Sequence, residues 1–548
     1  MPLQKNQVLT LTIERLSNDG SGVAHSPDGE TVFIPGTAPG DVAAIRIVKD
    51  CGRYAFGILD AIQTPSPDRI PVDCAVAGPC GGCSLRHLDY AAELRAKQEN
   101  VADAFARIGG LDVPVLPIVG SPEVNRYRNK VQFPVGVDKS GKPCIGFYAG
   151  RTHRIVPCPD CRLQPGVLNE IGNALCAFFA EKGIQPYSEE TGRGLVRHIF
   201  LRRGAHSGQI MVCLVCTRAK LPSAEELCTR LKAQFAEITT ILLNVNAKNT
   251  NVILGTETHT LYGPGYIEDT LCGVPVQLGP LSFYQVNTLA AEQLYGIAAQ
   301  YAQLTPDDLL LDLYCGMGTI GLSMAAHCRE LIGVEIVPEA IESAKANAAR
   351  MGADVAAKSR FFCADAGQAA TRLAAEGLHP DIVMLDPPRK GCDEATLSAV
   401  VRMSPRRVVY VSCNPATAAR DAAWLEQNGY HAEKVQPVDL FPRTRHCEAV
   451  LLLTKLHVER HIEVDVSMDE LDVTAAESKA TYNEIRDYVW EHYQLKVSNL
   501  YIAQVKQKYG IIERENYHKA KNENAKQPQC PKEKEDAIVE ALKHFQMI

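Results

Sequence analysis

Short runs of alternating apolar and polar residues dominate the first 62 positions of the chain. Each run has the period of a strand with one buried face, and turn-rich segments such as SNDGSG and GTAPGD separate them. The runs are VLTLTIERL, TVFIPG, VAAIRIVK and YAFGILDAI. About five short strands in so few residues are typical of an OB-type barrel. We therefore predict a small β-barrel domain over residues 1–62.

Residues 276–456 show a different pattern, in which apolar runs alternate with helical stretches such as VPEAIESAKANAARMG. Continuous apolar runs are typical of parallel strands that are buried on both faces. The runs are LLLDLY (309–314), LIGVE (331–335), RFFCAD (360–365), DIVMLD (381–386) and RVVYVS (407–412). The pattern predicts a doubly wound α/β domain, in which ligands bind at the carboxyl ends of the strands.

The rest of the chain divides into three parts. Residues 63–275 are mixed, with a proline-rich connector, a helical run and strand-like segments such as NKVQFPVGV and GQIMVCLVC, and they predict a mixed central subdomain. Residues 457–480 have an acidic bias and predict a linker. Residues 481–548 contain three helical patterns and predict a small helical appendage of unassigned role.

The composition is that of a soluble globular protein. The chain has 548 residues, 46% of them hydrophobic and 22% charged, and no stretch approaches the ~18–20 consecutive apolar residues of a membrane span. Its first residues lack the apolar core and cleavage site of a signal peptide. We expect a cytoplasmic protein without membrane contact, and nothing in the sequence indicates an obligate protein partner. Its 19 cysteines are then expected to be core residues, metal ligands or catalytic thiols rather than disulfides.

The charge distribution bears on nucleic-acid binding. The net charge is −7, so contact with RNA would require a local basic face. Two basic groups interleaved with aromatic residues lie in the central region, and we interpret them as an RNA-facing surface rather than as solvated strand faces. The first group is Arg126, Arg128, Lys130, Lys139, Lys142, Arg151 and Arg154, and the second is Arg193, Arg197, His198, Arg202 and Arg203.

A cluster of cysteines in CAVAGPCGGC indicates a metal site. Cys74, Cys80 and Cys83 lie close together, and the intervening glycines allow the backbone to approach inorganic sulfide, as an iron–sulfur cluster requires. Zinc is the chemical alternative, because thiolates bind it equally well. A fourth ligand must come from elsewhere, and Cys158 and Cys161 are the candidates.

A glycine-containing turn after the first apolar run of the α/β region predicts a nucleotide-type cofactor. In LDLYCGMGTIGL the turn opens a helix, and Glu335 ends the next strand, where its carboxylate is able to accept both hydroxyls of a ribose. NAD and S-adenosylmethionine both fit this plan, and the motif alone does not separate them.

Two later strands end in residues that carry reaction chemistry. LDPPRKG ends one strand with Asp386, VSCNP ends the next with Cys413, and Glu448 directly precedes a further apolar strand. Because parallel strands present their carboxyl ends to one crevice, we expect the thiol and the carboxylates to face one substrate beside the cofactor.

Taken together, the segments DLYCGMGTIGL, LDPPRKG, SCNP, HCEAV and SFYQVN resemble those of the uracil-C5 RNA methyltransferase family. The upstream CGGC and an N-terminal segment similar to a TRAM domain match the iron–sulfur branch that methylates 23S ribosomal RNA. The resemblance spans about residues 5–456 and does not extend to residues 457–548. It implies an RNA-binding TRAM barrel, an iron–sulfur subdomain and a Rossmann-like methyltransferase domain.

The resemblance also implies roles for individual residues. Cys413 would add to uracil C6, and Glu448 would remove the C5 proton. S-adenosylmethionine would be bound by Gln285, Tyr314, Glu335 and Asp386, with Asp365 near the adenine. A 4Fe–4S cluster would be held by Cys74, Cys80, Cys83 and Cys161, the last because Pro159-Asp160-Cys161 fits the family's frame. Cys158 is then an additional thiol.

Other functions remain open. A transfer-RNA uracil methyltransferase would use the same chemistry, and a non-catalytic RNA-binding or ribosome assembly factor would keep the barrel and the basic surface. An NAD-dependent oxidoreductase would leave Cys413 and Glu448 without a purpose. RNA 5-methylcytosine enzymes also use a thiol, usually after a Pro-Cys segment, whereas this chain has Ser-Cys-Asn-Pro.

Overall fold

The protein forms two compact units in a computed structural model, Met1–Val458 and Glu459–Ile548. The structure describes residues 3–150, 152–248, 250–456, 482–509, 530–545 and 547. The predicted linker, residues 457–480, lies outside the described residues. None of the helices in these ranges is long and apolar enough to cross a membrane.

The N-terminal region is a six-stranded sheet with the order β1-β5-β6-β4-β3-β2. Its strands are β1 Val8–Thr12, β2 Arg15–Leu16, β3 Ser21–His25, β4 Thr31–Pro35, β5 Val42–Asp50 and β6 Tyr54–Thr64. The alternating pattern places Val32, Ile34 and Ile45 in one buried core. β3 was missed in the sequence because its SGVAH segment is rich in small residues. Gly22 is required there, since a Cβ would lie only 2.0 Å from the hydroxyl of Thr37.

The central region is built on a seven-stranded sheet with the order β13-β12-β11-β10-β7-β8-β9. Its helices are α1 Tyr90–Asp103, which continues as a π-helical turn Ala104–Gly109, α2 Gly166–Glu181 and α3 Ala224–Gln234. Its strands are β7 Lys130–Val137, β8 Pro143–Tyr148, β9 Ile155–Pro157, β10 Val196–Arg203, β11 Ile210–Cys216, β12 Ile238–Val245 and β13 Glu257–Tyr262. The apolar sides of α2 and α3 pack on this sheet around Phe133, Phe179 and Leu214.

A hairpin joins the central region to the α/β region. It consists of β14 Ile267–Leu271 and β15 Val274–Leu278, which pair antiparallel. Ile267, Val274 and Val276 share a hydrophobic core with the strands of the α/β region. The same core includes Phe200 and Met211 of the central sheet, so the hairpin is buried between the two regions. The predicted boundary between residues 275 and 276 lies inside β15.

The α/β region has a seven-stranded sheet with the order β18-β17-β16-β19-β20-β22-β21. Its strands are β16 Leu309–Leu313, β17 Glu330–Glu335, β18 Ser359–Cys363, β19 Ile382–Leu385, β20 Arg407–Ser412, β21 Tyr430–Val438 and β22 Glu448–Lys455. Its helices are α4 Thr288–Ala302, α5 Thr319–Met324, α6 Pro338–Arg350, α7 Ala353–Lys358, α8 Ala366–Ala375, α9 Glu394–Met403 and α10 Pro415–Gln427.

The connectivity of this sheet creates the ligand crevice. β16 to β20 are parallel, as the apolar runs predicted, while β22 is antiparallel to both of its neighbours. The chain adds β17 and β18 on one side of β16 and then crosses to the other side, where it adds β19 and β20. Their carboxyl ends diverge at this reversal of strand order, which is where open α/β sheets bind ligands.

The described part of the second unit contains three helices, α11 Tyr482–Tyr493, α12 Asn499–Lys508 and α13 Lys532–His544. Their apolar positions form a small core of their own around Ile485, Ile502 and Ile538. This confirms the three helical patterns in the part of this unit that is described.

Candidate active site

Cys413 and Glu448 meet at the end of one antiparallel strand pair. In the ladder between β20 and β22, Ser412 is paired with Ala449, so Cys413 and Glu448 occupy the next position on each side. Glu448 is only 6% exposed, whereas Cys413 is half-buried at the start of a turn. The predicted convergence of this thiol and this carboxylate is thus a property of the strand register.

The turn after β20 presents the thiol at a helix start. Asn414 caps α10 by accepting a hydrogen bond from the backbone of Ala416, and Pro415 occupies the first helical turn. The Asn414 side chain also donates to the carbonyl of Arg389 over 2.9 Å. The cysteine turn is thereby tied to the LDPPRKG loop that follows β19.

Burial and like charges perturb the acid–base groups of this site. Burial raises the pKa of Glu448 to about 8, with a contribution from Asp386 that Arg389 opposes. Burial also raises the pKa of Asp386 to about 7. The pKa of Cys413 is raised as well, first by burial and then by Glu448 and Asp386, while Arg389 lowers it. Perturbed groups that share one crevice are typical of a catalytic site.

Arg389 was not assigned a role in the sequence, although it belongs to the LDPPRKG motif. Its charge acts on both Cys413 and Glu448 and favours the ionised form of each. A thiol and a carboxyl that were merely buried would both stay neutral, whereas the charge of Arg389 favours ionisation of both Cys413 and Glu448.

The predicted cofactor turn has the backbone conformation that glycine provides. Gly316 and Gly318 have φ values of 55° and 79°, and Tyr314 is also left-handed at 67°. The carboxylate of Glu335 accepts hydrogen bonds from the backbone of Gly316 over 3.2 Å and of Val337 over 3.0 Å. The end of β17 is thereby joined to the turn after β16.

A buried acid lies beneath this turn. Asp312 accepts a hydrogen bond from the backbone of Gly321 over 3.0 Å, but its second oxygen is buried and has no partner. Burial raises its pKa to about 8, with further contributions from Asp386 and Glu335. Asp365 lies at the start of α8, where it caps the helix by accepting from Gln368.

The loop that carries Gln285 is fixed by residues of the central sheet. Asn129 donates to the carbonyl of Gln285 over 2.7 Å. Arg202, which is 1% exposed, donates to the carbonyls of Gly279 and Ser282 over 2.8 and 2.7 Å. Neither residue was predicted to support the cofactor side of the site, because each contact joins positions about 75 to 160 residues apart.

The prediction of an RNA-facing surface from the second basic group is wrong for three of its five residues. Arg197, His198 and Arg202 are buried, and the two arginines donate to backbone carbonyls. Arg193 is exposed, as are Lys139, Lys142 and Arg154 of the first group, so a smaller basic surface remains. The error arose because β10 is buried on both faces, which the arginines of VRHIFLRR concealed.

The cysteines singled out in the sequence share one cavity. Cys74, Cys80, Cys83, Cys158 and Cys161 all line a cavity of about 280 Å³, together with Arg86 and Arg128. A hydrogen bond from Cys158 lowers the pKa of Cys161 to about 6, and the Cys158 thiol correspondingly has a raised pKa. Within the described residues, no group of three or more His, Cys, Asp or Glu side chains is arranged to hold a metal ion. The donor set nevertheless fits a thiolate-bound group, because five thiols and two cations surround one space.

Models of two protein families match the two ends of the first unit. A family model described as tRNA (Uracil-5-)-methyltransferase matches residues 207–456, and a TRAM domain model matches residues 2–59. The latter agrees with the predicted N-terminal domain.

Two relatives match most of the chain. The chain is 43% identical over 454 residues to an uncharacterized RNA methyltransferase of Halalkalibacterium halodurans, and this covers 82% of the chain and 98% of the relative. A Listeria monocytogenes RNA methyltransferase is also 43% identical, over 455 residues, with the same coverage.

A solved structure has the same fold. The Pyrococcus abyssi tRNA (uracil-54, C5)-methyltransferase in complex with S-adenosyl-L-homocysteine superimposes with a TM-score of 0.65 at 26% identity, covering 81% of this chain and 100% of that one. These comparisons leave about a fifth of the chain unmatched.

Proposed function

The chain belongs to the S-adenosylmethionine-dependent uracil-C5 RNA methyltransferases, and we propose that it methylates C5 of a specific uridine in 23S ribosomal RNA through a covalent adduct with Cys413. The observation that carries the mechanism is the placement of Cys413 directly opposite Glu448 at the carboxyl end of β20. The choice of 23S RNA rests on the TRAM domain and on the CGGC segment. A transfer-RNA substrate is the second candidate, favoured by the structural likeness to a tRNA methyltransferase.

Uracil C5 is a weak nucleophile, and the thiol overcomes this limitation. The Cys413 thiolate forms a bond to C6, which moves electron density onto C5 and O4. S-adenosylmethionine supplies a methyl group on a sulfonium leaving group, and C5 takes this methyl. Glu448 then accepts the C5 proton, the C6–S bond breaks, and the thiolate is restored.

The raised pKa of Glu448 suits the second half of this reaction. A carboxylate with a pKa of about 8 is a stronger base than an exposed one, so it takes a carbon-bound proton more readily once it is ionised. Arg389 favours ionisation of both Cys413 and Glu448 and thereby offsets part of the effect of burial.

The cofactor site is assigned to residues that surround the crevice. We assign the ribose hydroxyls to Glu335, at the end of β17, and the adenine to Asp365, at the start of α8. Gln285, Tyr314 and Asp386 lie in loops, and we assign them to the same site. Asp312 lies buried beneath the turn with a raised pKa, and a bound ligand that carries positive charge would favour ionisation of its carboxyl.

For the cysteine cavity we propose a 4Fe–4S cluster held by Cys74, Cys80, Cys83 and Cys161. Burial raises the pKa of the Cys83 thiol, and Arg86 opposes this shift through its hydrogen bond and its charge, which favour the thiolate. Arg126 donates to the carbonyl of Cys161 over 2.7 Å and so fixes that segment. Methyl transfer has no redox step, so the cluster would order the surrounding loops.

RNA contact is supported by a group of exposed rings on the TRAM domain. Phe33, Tyr54 and Phe56 pack against one another with centroids 5.6 to 6.0 Å apart, and Tyr54 and Phe56 are exposed. Such rings offer faces on which unpaired bases stack. The target uridine must be unpaired or flipped out of a helix, since Cys413 has to reach C6.

The proposal is tested with purified protein, S-adenosylmethionine and separate fractions of unmodified 23S and transfer RNA. Nuclease digestion and mass spectrometry should find 5-methyluridine at one or a few positions of the 23S fraction. Methylation confined to transfer RNA would establish the second candidate, and methylation of neither RNA would overturn both.

A further inference from the structure

The segment from Asp439 to Cys447 joins β21 to β22 and leads directly into Glu448. Val438 and Glu448 are partners in the β21–β22 ladder, so the segment leaves and returns at the same point of the sheet. The position of the Glu448 carboxylate therefore depends on how this segment is held.

Four consecutive backbone carbonyls of the segment accept hydrogen bonds from distant parts of the chain. The Asn287 side chain donates to Leu440 over 3.1 Å, the Lys97 ammonium to Phe441 over 3.2 Å, the Tyr127 hydroxyl to Pro442 over 2.9 Å, and the backbone of Ser84 and Leu85 to Arg443 over 3.1 Å. These donors are Asn287, which caps α4, Lys97 in α1, and residues of two loops of the central region. The segment also has bonds of its own, from the backbone of Phe441 to the Asp439 carboxylate and from Thr444 to the carbonyl of Phe441. The carbonyls of Leu440, Pro442 and Arg443 accept from the outside donors, so the conformation of this connection depends on other parts of the chain as well.

Lys97 makes more hydrogen bonds in this arrangement than the other side-chain donors. It is 1% exposed, and its ammonium also donates to Glu93 over 2.7 Å and to Asp439 over 2.8 Å, which uses all three of its N–H groups. Asp439 in turn accepts from the Tyr90 hydroxyl over 2.9 Å. Glu93 accepts from the backbone of Arg443 over 2.7 Å. The buried charges thus bind the segment at both its first and its fifth residue.

The backbone at Arg443 shows that the segment is held away from its preferred conformation. Arg443 has a φ of 69°, in the left-handed region that a side chain disfavours. Its guanidinium donates to the carbonyl of Leu88 over 2.7 Å. A buried ion network adds little to the stability of the fold, because both charges lose their contact with water. Its presence on a strained segment is better explained by the backbone conformation that it fixes.

We propose that Lys97 is a positioning residue for Glu448, with Tyr127 as a second, uncharged support of the same segment. The proposal rests on the proposed role of Glu448 as the base that removes the C5 proton. Loss of either support displaces the base but leaves Cys413, which is carried by β20 and α10, in place. Adduct formation and methyl transfer then continue while release of the methylated RNA slows.

The test measures turnover together with the fraction of enzyme trapped as methylated adduct on a denaturing gel. Lys97→Met should lower turnover on the order of 10²-fold, as misplacement of a catalytic group by about 1 Å does, and should raise the trapped fraction above that of the wild type. Tyr127→Phe removes one hydrogen bond without leaving a buried charge unpaired, so it should fold and show a smaller change in the same direction. If Lys97→Met fails to fold, Tyr127→Phe decides.

Leu175→Ala is the matched control, since Leu175 is buried in α2 and lies in the separate core of the central region. It should lower stability without raising the trapped fraction. The proposal is wrong if the Lys97 and Tyr127 variants lose turnover with no rise in adduct, or turn over like the wild type. Glu448→Gln separates this failure from that of the proposed function: if it traps no adduct, Glu448 is not the base.

Discussion

Cys413 stands opposite Glu448 because the antiparallel register of β20 and β22 leaves these two residues one step beyond the Ser412–Ala449 pair. The two groups therefore have fixed relative positions on paired strands rather than on independent loops. A nucleophile and a base that act in turn on the adjacent C6 and C5 atoms of one ring need this kind of proximity.

Replacing the thiol should abolish methyl transfer without damaging the fold. Cys413→Ala is expected to lower turnover by on the order of 10³-fold or more, as loss of a nucleophile does, while binding of S-adenosylmethionine measured by calorimetry stays near the wild-type value. Cys51→Ser, in a loop of the N-terminal sheet, is the matched control and should retain activity. A Cys413→Ala enzyme with near-normal turnover would rule out the covalent mechanism.

The buried carboxyl of Glu448 should make stability depend on pH. Its pKa is about 8 in the folded protein, against an ordinary value of 4.5. Between these values the folded state holds a proton that the unfolded chain has lost, so the free energy of unfolding falls as pH rises, by about 1.4 kcal/mol per pH unit for one such group.

Glu448→Gln lacks this titration. The free energy of unfolding of the wild type should therefore fall relative to that of the variant between pH 5 and pH 8. Urea unfolding at several pH values measures the difference. Curves that stay parallel over this range would show that the Glu448 pKa is not raised.

The choice of cluster ligand is tested by paired cysteine variants. Protein purified without oxygen should be brown and contain iron and sulfide, and Cys161→Ser should lose them. Cys158→Ser should keep them, since the additional thiol is not a ligand in our assignment. If Cys158→Ser loses iron and sulfide and Cys161→Ser keeps them, Cys158 is the fourth ligand. If the protein contains one zinc and neither iron nor sulfide, the site is a zinc site and not a cluster.

The second unit should be dispensable for the chemistry. It has its own hydrophobic core, and the matched relatives cover only 82% of the chain. A chain ending at residue 459 is expected to methylate a short uridine-containing RNA within about twofold of the full-length rate, since a unit with a core of its own folds independently. Collapse of turnover on this minimal RNA would show that the second unit completes the active site.

The sequence predicted the parts of this protein that depend on local pattern. The apolar runs located β16 to β20, and the strand-end motifs brought Cys413, Asp386 and Glu448 to one edge of the sheet. Asp386 and Cys413 share this edge because parallel strands present their carboxyl ends on a common side. Glu448 lies there because β22 is antiparallel to β20 and begins at that edge.

Contacts between distant positions could not be predicted in the same way. Lys97 and Asp439 are 342 residues apart, and no periodicity connects them. The sequence suggested that Arg202 is a surface charge. Its carbonyl partners, at Gly279 and Ser282, come close to it only when the chain folds. Supports of this kind follow from tertiary packing, which a single sequence does not encode locally.

The most direct measurement of the central claim is the mass of the protein–RNA complex formed by Glu448→Gln with S-adenosylmethionine and target RNA. The C5 proton cannot leave in this variant, so the methylated adduct should accumulate and survive denaturation. After digestion, the peptide that contains Cys413 should carry the mass of a nucleotide plus one methyl group. A different cross-linked residue, or no adduct together with normal turnover, would contradict the mechanism.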